Sequence, residues 1–167
     1  GGFDLALRND AVEDSSLIGR KLADDTRILC AAPEYLKQFG TPRNPEALVD
    51  HAHIVFMNRT PRQLTLQQRA TPYHYPPKSV RPRIICDDGA SMRIAAKAGA
   101  GICMSSLWSV FDDLNTGALE RVLPDYEIND HSAIWLVYPK SNALTSKTRV
   151  LIDFLVEKIG RPPVWER

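Results

Sequence analysis

Nothing in this chain is apolar for long enough to cross a bilayer, since its longest apolar runs fall well short of the roughly 18 residues that a span requires. No leading hydrophobic segment marks it for secretion. Cysteine is sparse: Cys30, Cys86 and Cys103 are odd in number and show no CxxC spacing, so neither a disulfide framework nor a zinc motif is written into them. A reducing cytoplasm is the plain inference. An excess of positive charge is missing too, with Lys and Arg numbering 21 against 20 Asp and Glu, which excludes a basic surface built for nucleic acid or membrane. If DNA is involved, these residues are not what touches it. Internal repeats and low-complexity tracts are also absent.

What is present is a core. Hydrophobic residues make up 44% of 167 positions, enough for one ordinary domain or two small lobes. Phe3, Leu5 and Leu7 alternate, with Ala6 also apolar, as in a strand buried on both faces, and such a strand needs neighbours. The chain is therefore expected to be a fragment lacking its leading part. Further strands are expected at Leu17 to Leu22, Thr26 to Ala31, His53 to Met57, Arg83 to Cys86, Ile102 to Met104, Leu119 to Leu123 and Ser132 to Tyr138, with a hairpin-like polar strand at Arg62 to Arg69. Helices are signalled by Pro33 and Glu34 up to Gly40, by a turn at Asn44-Pro45-Glu46, by Asp88 to Ala98 ahead of Gly99, and by Leu107 to Leu114 ahead of Gly117. In the last helix Thr145 is the N-cap candidate, and Val150, Leu151, Phe154, Leu155 and Ile159 form one apolar stripe expected to pack into the core. Three prolines between Thr71 and Pro77 predict an irregular connector. The alternation of strands and helices predicts an α/β fold with largely parallel sheets. Two lobes joined by two crossing strands would fit the order of elements.

Several segments, in this order, resemble the C-terminal effector-binding domain of LysR-type transcriptional regulators. They are Asp4-Leu5-Ala6-Leu7-Arg8, Asp14-Ser15-Ser16-Leu17-Ile18-Gly19-Arg20-Lys21-Leu22 and Arg27 to Leu36 followed by Gly40-Thr41-Pro42. Ala95-Ala96-Lys97-Ala98-Gly99-Ala100-Gly101-Ile102, Val137-Tyr138-Pro139 and Leu151 to Leu155 complete the set. The resemblance covers almost the whole chain. It implies a two-lobed, periplasmic-binding-protein-like (type 2) regulatory domain, N-terminally incomplete, that holds a small-molecule effector between its lobes. Residues 1–25 and 137–167 would be part of the first lobe and residues 26–136 the second, with hinge strands near 26–31 and 132–138. A winged helix-turn-helix, a linker helix and the start of the first lobe would be missing from the front. The resemblance also implies assembly as a homodimer or homotetramer and DNA contact only through the missing domain. No cofactor is expected. After Gly101-Ile102 the chain departs from the family, with Cys103-Met104-Ser105-Ser106 where an aliphatic pair and a proline are usual.

Candidate effector-binding residues sit at strand ends. Arg8 closes the first strand, where α/β sheets present ligand-facing groups, and its guanidinium suits a carboxylate effector; the bland role is a surface pairing with Asp10 or Glu13. Met57 and Asn58 close the strand at His53, offering a soft apolar wall and an amide that both donates and accepts. Asp87 and Asp88 open the Ala-rich helix, where Asp88 is better suited to capping the free amides than to admitting an anion. Met104 joins them at the end of the strand after Gly101.

Two other chemistries fare poorly. Cys103 with a base from His51, His53, His74 or His131 would make a thiol enzyme, but nothing in the sequence orders those groups and no Gly-x-Ser-x-Gly elbow occurs. A buried structural thiol is the ordinary fate of such a cysteine. His51-Ala52-His53 lacks a carboxylate or cysteine at ligand spacing to complete a metal set. The expectation is a cytoplasmic regulatory domain and not an enzyme. The alternatives are a solute-binding protein of a transport system and, more distantly, a Cys103-dependent enzyme.

Overall fold

The computed structural model describes residues 5–9, 13–57, 62–66, 69–129, 131–140 and 145–167. In chain order the strands are β1 (Ala6–Arg8), β2 (Leu17–Asp24), β3 (Arg27–Ala31), β4 (His53–Phe56), β5 (Arg62–Leu66), β6 (Arg69–Tyr75), β7 (Ile84–Cys86), β8 (Ile102–Ser106), β9 (Glu120–Val122), β10 (Tyr126–Ile128) and β11 (Ala133–Pro139). The helices are α1 (Pro33–Phe39), α2 (Gly89–Lys97), α3 (Leu107–Thr116) and α4 (Ser146–Ile159), with 3-10 turns at Pro45–Asp50 and Val164–Glu166. They fall into two compact units, residues 1–26 with 131–167, and residues 27–130.

In the first unit β11 lies between β1 and β2, and both pairings are antiparallel, with Leu7 opposite Leu136 and Leu17 opposite Pro139. Leu136 and Val137 are buried at the centre of this sheet. Helix α4 begins as the sequence directs, with the Thr148 amide donating to Thr145 Oγ1 at 3.2 Å, and Gly160 ends it. β1 is an edge strand among the described residues, and its Leu7 is 57% exposed. The stripe expected on α4 packs only in part: Leu155 and Ile159 are half-buried, whereas Val150, Leu151 and Phe154 are exposed. The face turned inward carries Thr148, Ile152, Leu155, Val156 and Ile159, and α4 lies against β2. Apolar residues occupy more than half the circumference of this helix, and periodicity alone does not choose between overlapping stripes.

The second unit is built on a five-stranded sheet in the order β7-β4-β8-β3-β9. β4 runs parallel to β7 and β8, whereas β3 is antiparallel to both β8 and β9. The sheets are therefore mixed and mostly antiparallel, contrary to the expectation, because a strand's apolar pattern carries no information on its direction. All five residues of β3 are buried. Leu29 and Ala31 point into one cluster with Tyr35, Leu36, Leu48, Tyr75, Ile102 and Val122. Ile28 and Cys30 point the opposite way, into a cluster with Ile54, Met92, Ala96, Cys103, Val110 and Leu119. The sheet thus separates a layer of α1 and the 3-10 turn from a layer of α2 and α3, which is what burial of both faces demands.

β5 and β6 form an antiparallel hairpin joined by β10, an element that the sequence pattern does not single out. The proline-rich segment is part of this sheet, so the irregular connector is corrected to a strand through Tyr75. β6 is at the sheet edge and its register shifts between the Leu64–Tyr73 and Leu66–Arg69 pairs. An edge position beside such a bulge is where proline is tolerated in a sheet, and Pro72 falls there.

Two local contacts hold the second unit's layers. Arg93 of α2 meets Asp113 of α3 with two bonds, Nε to Oδ2 at 2.5 Å and a terminal nitrogen to Oδ1 at 2.9 Å, and Lys97 Nζ adds a third at 3.2 Å. The Arg93 guanidinium holds the Asp113 carboxyl below its ordinary range despite the opposing effect of burial. At the mouth of β8, Gly101 has φ +151°, and a Cβ there would lie 2.5 Å from the Ala52 carbonyl oxygen. That carbonyl accepts the Ile102 amide at 2.9 Å and cannot move aside freely.

Gly101→Ala is expected to lower stability by about 2–4 kcal/mol, read as a shifted denaturant midpoint with an unchanged slope, because backbone strain and a clash with a fixed carbonyl act together. Asp113→Asn is expected to cost roughly 1–3 kcal/mol at neutral pH, the range for hydrogen bonds to partly exposed charged groups. A carboxyl depressed in the folded state stabilises above its ordinary range and loses that contribution as pH falls through its folded value. The gap between Asp113→Asn and the unaltered chain should therefore close in acid, which urea titrations at a series of pH values would show.

Candidate functional site

Parallel strands deliver their carboxyl ends to one edge of a sheet, and in the second unit β4, β7 and β8 do so together. Phe56 is level with Cys86, and the Met57 amide donates to the Cys86 carbonyl at 2.7 Å, tying the ends of β4 and β7. β4 pairs with β8 at His53–Ile102 and Ile54–Cys103. Arg27, at the start of antiparallel β3, is the partner of Ser106 on the far side. The residues at this edge are thus Asp87 and Asp88 after β7, Met57 after β4, Ser105 and Ser106 at the end of β8, and Arg27 at the start of β3.

Its members differ in exposure and commitment. Met57 is 47% exposed, as an apolar wall for a ligand would be. Asp87 and Asp88 are exposed, and Asp88 caps α2, accepting the Ser91 amide on Oδ1 and the Ser91 hydroxyl on Oδ2, each at 2.6 Å. The Ser91 hydroxyl and amide hold its carboxyl below the ordinary range. Met104 is half-buried on β8 and packs towards the Tyr35 and Tyr75 cluster. Asn58 lies outside the described residues. Arg8 belongs to the first unit, exposed at the end of β1 opposite Trp135. The next residue, Asn9, donates its side-chain amide to Asp25 at 2.9 Å.

Ser105, Ser106 and buried Arg27 were not singled out as site residues from the sequence. The departure after Gly101-Ile102 pointed at the two serines. Nothing local pointed at Arg27, which reaches this edge only because β3 is antiparallel to β8.

Beneath the opposite end of β4 the polar groups are fully used. The Leu48 carbonyl can only accept, so His53 carries its proton on Nε2, 2.7 Å away, and its Nδ1 accepts the Tyr75 hydroxyl at 3.0 Å. Burial lowers the His53 pKa and pushes that of Tyr75 well up. His51 and Tyr35 pair at 2.8 Å, and the Ala52 amide donates to the Tyr35 hydroxyl at 3.0 Å. The imidazoles of His51 and His53 are thereby committed to tyrosines. Among the described residues no group of three or more His, Cys, Asp and Glu side chains is arranged to hold a metal ion.

A neutral buried histidine must charge in acid. Since its folded pKa lies below the ordinary 6.5, the stability that depends on it is present above that value and drains away as pH falls through the folded one. The second unit is expected to lose stability on acidification below the ordinary histidine value. A His53→Gln variant, weaker at neutral pH, should show a flatter dependence there when thermal midpoints are compared.

Comparison with known proteins identifies the family. A family model described as the LysR substrate binding domain matches residues 1–160. The chain is 30% identical over 162 residues to the HTH-type transcriptional activator AaeR of Escherichia coli (strain K12), covering 93% of this chain and 50% of that protein. It is 31% identical over 161 residues to the HTH-type transcriptional regulator CrgA of Neisseria meningitidis serogroup C (strain 8013), covering 94% and 52%. The chain therefore spans about half the length of these curated relatives. Among solved structures, the regulatory domain of CrgA, a LysR-type transcriptional regulator from Neisseria meningitidis, superposes with a TM-score of 0.81 at 30% identity, over 94% of this chain and 76% of that one.

Proposed function

The chain belongs to the LysR substrate-binding domain family, and we propose that it is the part of a transcriptional regulator that senses a small-molecule effector. The single observation that carries this reading is the sheet edge where β4, β7 and β8 end together, bearing an exposed apolar side chain beside hydroxyls. Residues 27–130 act as one lobe in this reading, and residues 1–26 with 131–167 contribute to the other. DNA contact belongs to a part of the protein beyond these residues, in keeping with the HTH-type relatives of twice the length. The protein works in the bacterial cytoplasm as a homodimer or homotetramer, and it senses its ligand without turning it over.

Charge across the rim favours one orientation for the ligand. Asp87 and Asp88 lie at the β7 side and repel an anion, whereas Arg27 and the serines lie at the β3 and β8 side. A small carboxylate would turn its charged end towards Ser106 and Arg27 and rest its apolar body on Met57. Arg8, exposed at the end of β1 in the first unit, is a separate candidate for contact with a carboxylate. An effector acts by binding one arrangement of the protein better than another, and only that difference in affinity can be relayed to a DNA-binding domain.

A thermal-shift screen of small aliphatic and aromatic carboxylates on the full-length protein tests this reading. A true effector at a hundredfold excess over its Kd should stabilise by roughly 2.7 kcal/mol. Met57→Asp, which adds a negative charge to the apolar wall, should abolish the shift, and Arg8→Ala should reduce it. An undiminished shift in Met57→Asp would refute the strand-end site, and an undiminished shift in Arg8→Ala would remove Arg8 as an effector contact.

A further inference from the structure

Two of the three cysteines face each other across the centre of the second unit. Cys30 of β3 and Cys103 of β8 are direct partners in the antiparallel ladder. Both side chains therefore project from the same face of the sheet, into the cluster with Ile54 and Val110. Their sulfurs are 3.7 Å apart, both are free thiols and both are fully buried. Directly opposed residues of an antiparallel pair have Cα atoms about 4.5–5.5 Å apart, inside the roughly 4.4–6.8 Å that a disulfide spans. Bringing these sulfurs to bonding distance needs side-chain rotation and no change of register. Cys86, on edge strand β7, has no thiol opposite it in the ladder.

The surroundings distinguish the two sulfurs. Ser105 Oγ lies 3.3 Å from Cys103 Sγ, and Ser105 is half-buried at the strand end, so one side chain separates this sulfur from the rim. Cys103 Sγ thus has two hydrogen-bonding neighbours, Cys30 Sγ at 3.7 Å and Ser105 Oγ at 3.3 Å. The neighbouring Cys103 and burial push the Cys30 thiol up. Its place beside the strand-end serine makes Cys103 the sulfur that meets an oxidant first, with Cys30 the thiol that resolves.

We propose that Cys30 and Cys103 are a peroxide-oxidisable dithiol that closes to a disulfide between β3 and β8. The Cys103 thiolate attacks a peroxide oxygen: the sulfur–oxygen bond forms, the oxygen–oxygen bond breaks, and the leaving hydroxide or alkoxide takes up a proton. Cys30 then attacks the sulfenic acid, forming the sulfur–sulfur bond, while the sulfenic oxygen departs as water with the Cys30 proton. Two thiols lose two electrons and two protons, and the peroxide is reduced to two waters, or to an alcohol and a water.

The test is a thiol count and a peptide map of the folded chain after exposure to hydrogen peroxide, with alkylation after denaturation. The expected result is three alkylated thiols before exposure and one after it, at Cys86, with the Cys30 and Cys103 peptides joined within one chain and separated again by dithiothreitol. Cys86→Ser should leave the cross-link intact. Cys30→Ser should stop the reaction at Cys103 sulfenic acid, which dimedone would trap. Cys86 oxidising first, or a cross-link forming only between chains, would overturn the proposal, as would retention of all three thiols at peroxide levels that oxidise a free-cysteine control. The wild-type map needs no variant to fold, so it decides the matter even where a substitution disturbs the core.

Discussion

Burial of β3 on both faces is the constraint from which the second unit follows. A buried pentapeptide from Arg27 to Ala31, apolar after its first residue and with no exposed side, needs a packed layer above and below it, and it needs a hydrogen-bonded strand on each flank. β8 and β9 supply the flanks. Tyr35, Leu36 and Leu48 fill one layer, and Met92, Ala96, Val110 and Leu119 fill the other. Because β3 enters antiparallel to β8, its first residue lands at the edge where the parallel strands finish. That single choice of direction brings Arg27 to Ser106 and sets Cys30 against Cys103.

Polar groups inside this packing are used as fasteners. Tyr75 contributes an apolar ring to one layer and a hydroxyl to His53, so the hairpin of β5 and β6 is anchored to the main sheet by its last residue. His53 in turn closes onto the 3-10 turn through Leu48. On the opposite face Asp113 joins α2 to α3 through Arg93 and Lys97. Each buried polar atom in these bridges has a partner, and without one its desolvation would cost more than the bond returns.

The parts of this structure that can be read in the sequence are those fixed by local chemistry. Asn44, Asp88 and Thr145 each accept an amide at the start of their helical segment, as their types and positions imply. Gly99 and Gly117 take the positive φ that follows a helix. The family was legible as well, because its short motifs recur in order over nearly the whole length. What could not be read depends on partners distant in sequence. Strand direction, the place of β10 and the side of α4 that turns inward are settled by tertiary packing. Pro72 misled for the same reason: proline argues against a strand until an edge position and a bulge are known. Met57 and Asp88 could be named from strand and helix ends, whereas Arg27 could be found only from the ladder.

β8 ties the rim to the core. Its side chains alternate, so Ile102 and Met104 face the cluster of Tyr35 and Tyr75, and Cys103 and Ser105 face that of Val110. Ser106 ends the same strand whose interior holds Cys103, the ladder partner of Cys30. Core packing in proteins is close to that of an organic crystal, so displacement at one end of a five-residue strand is not absorbed within it. Small shifts at the rim must instead be passed to the layers on either side, through Met104 to one and Cys103 to the other. The departure from the family pattern at Cys103-Met104-Ser105-Ser106 therefore alters the strand end and the core contacts behind it together, because one strand carries both.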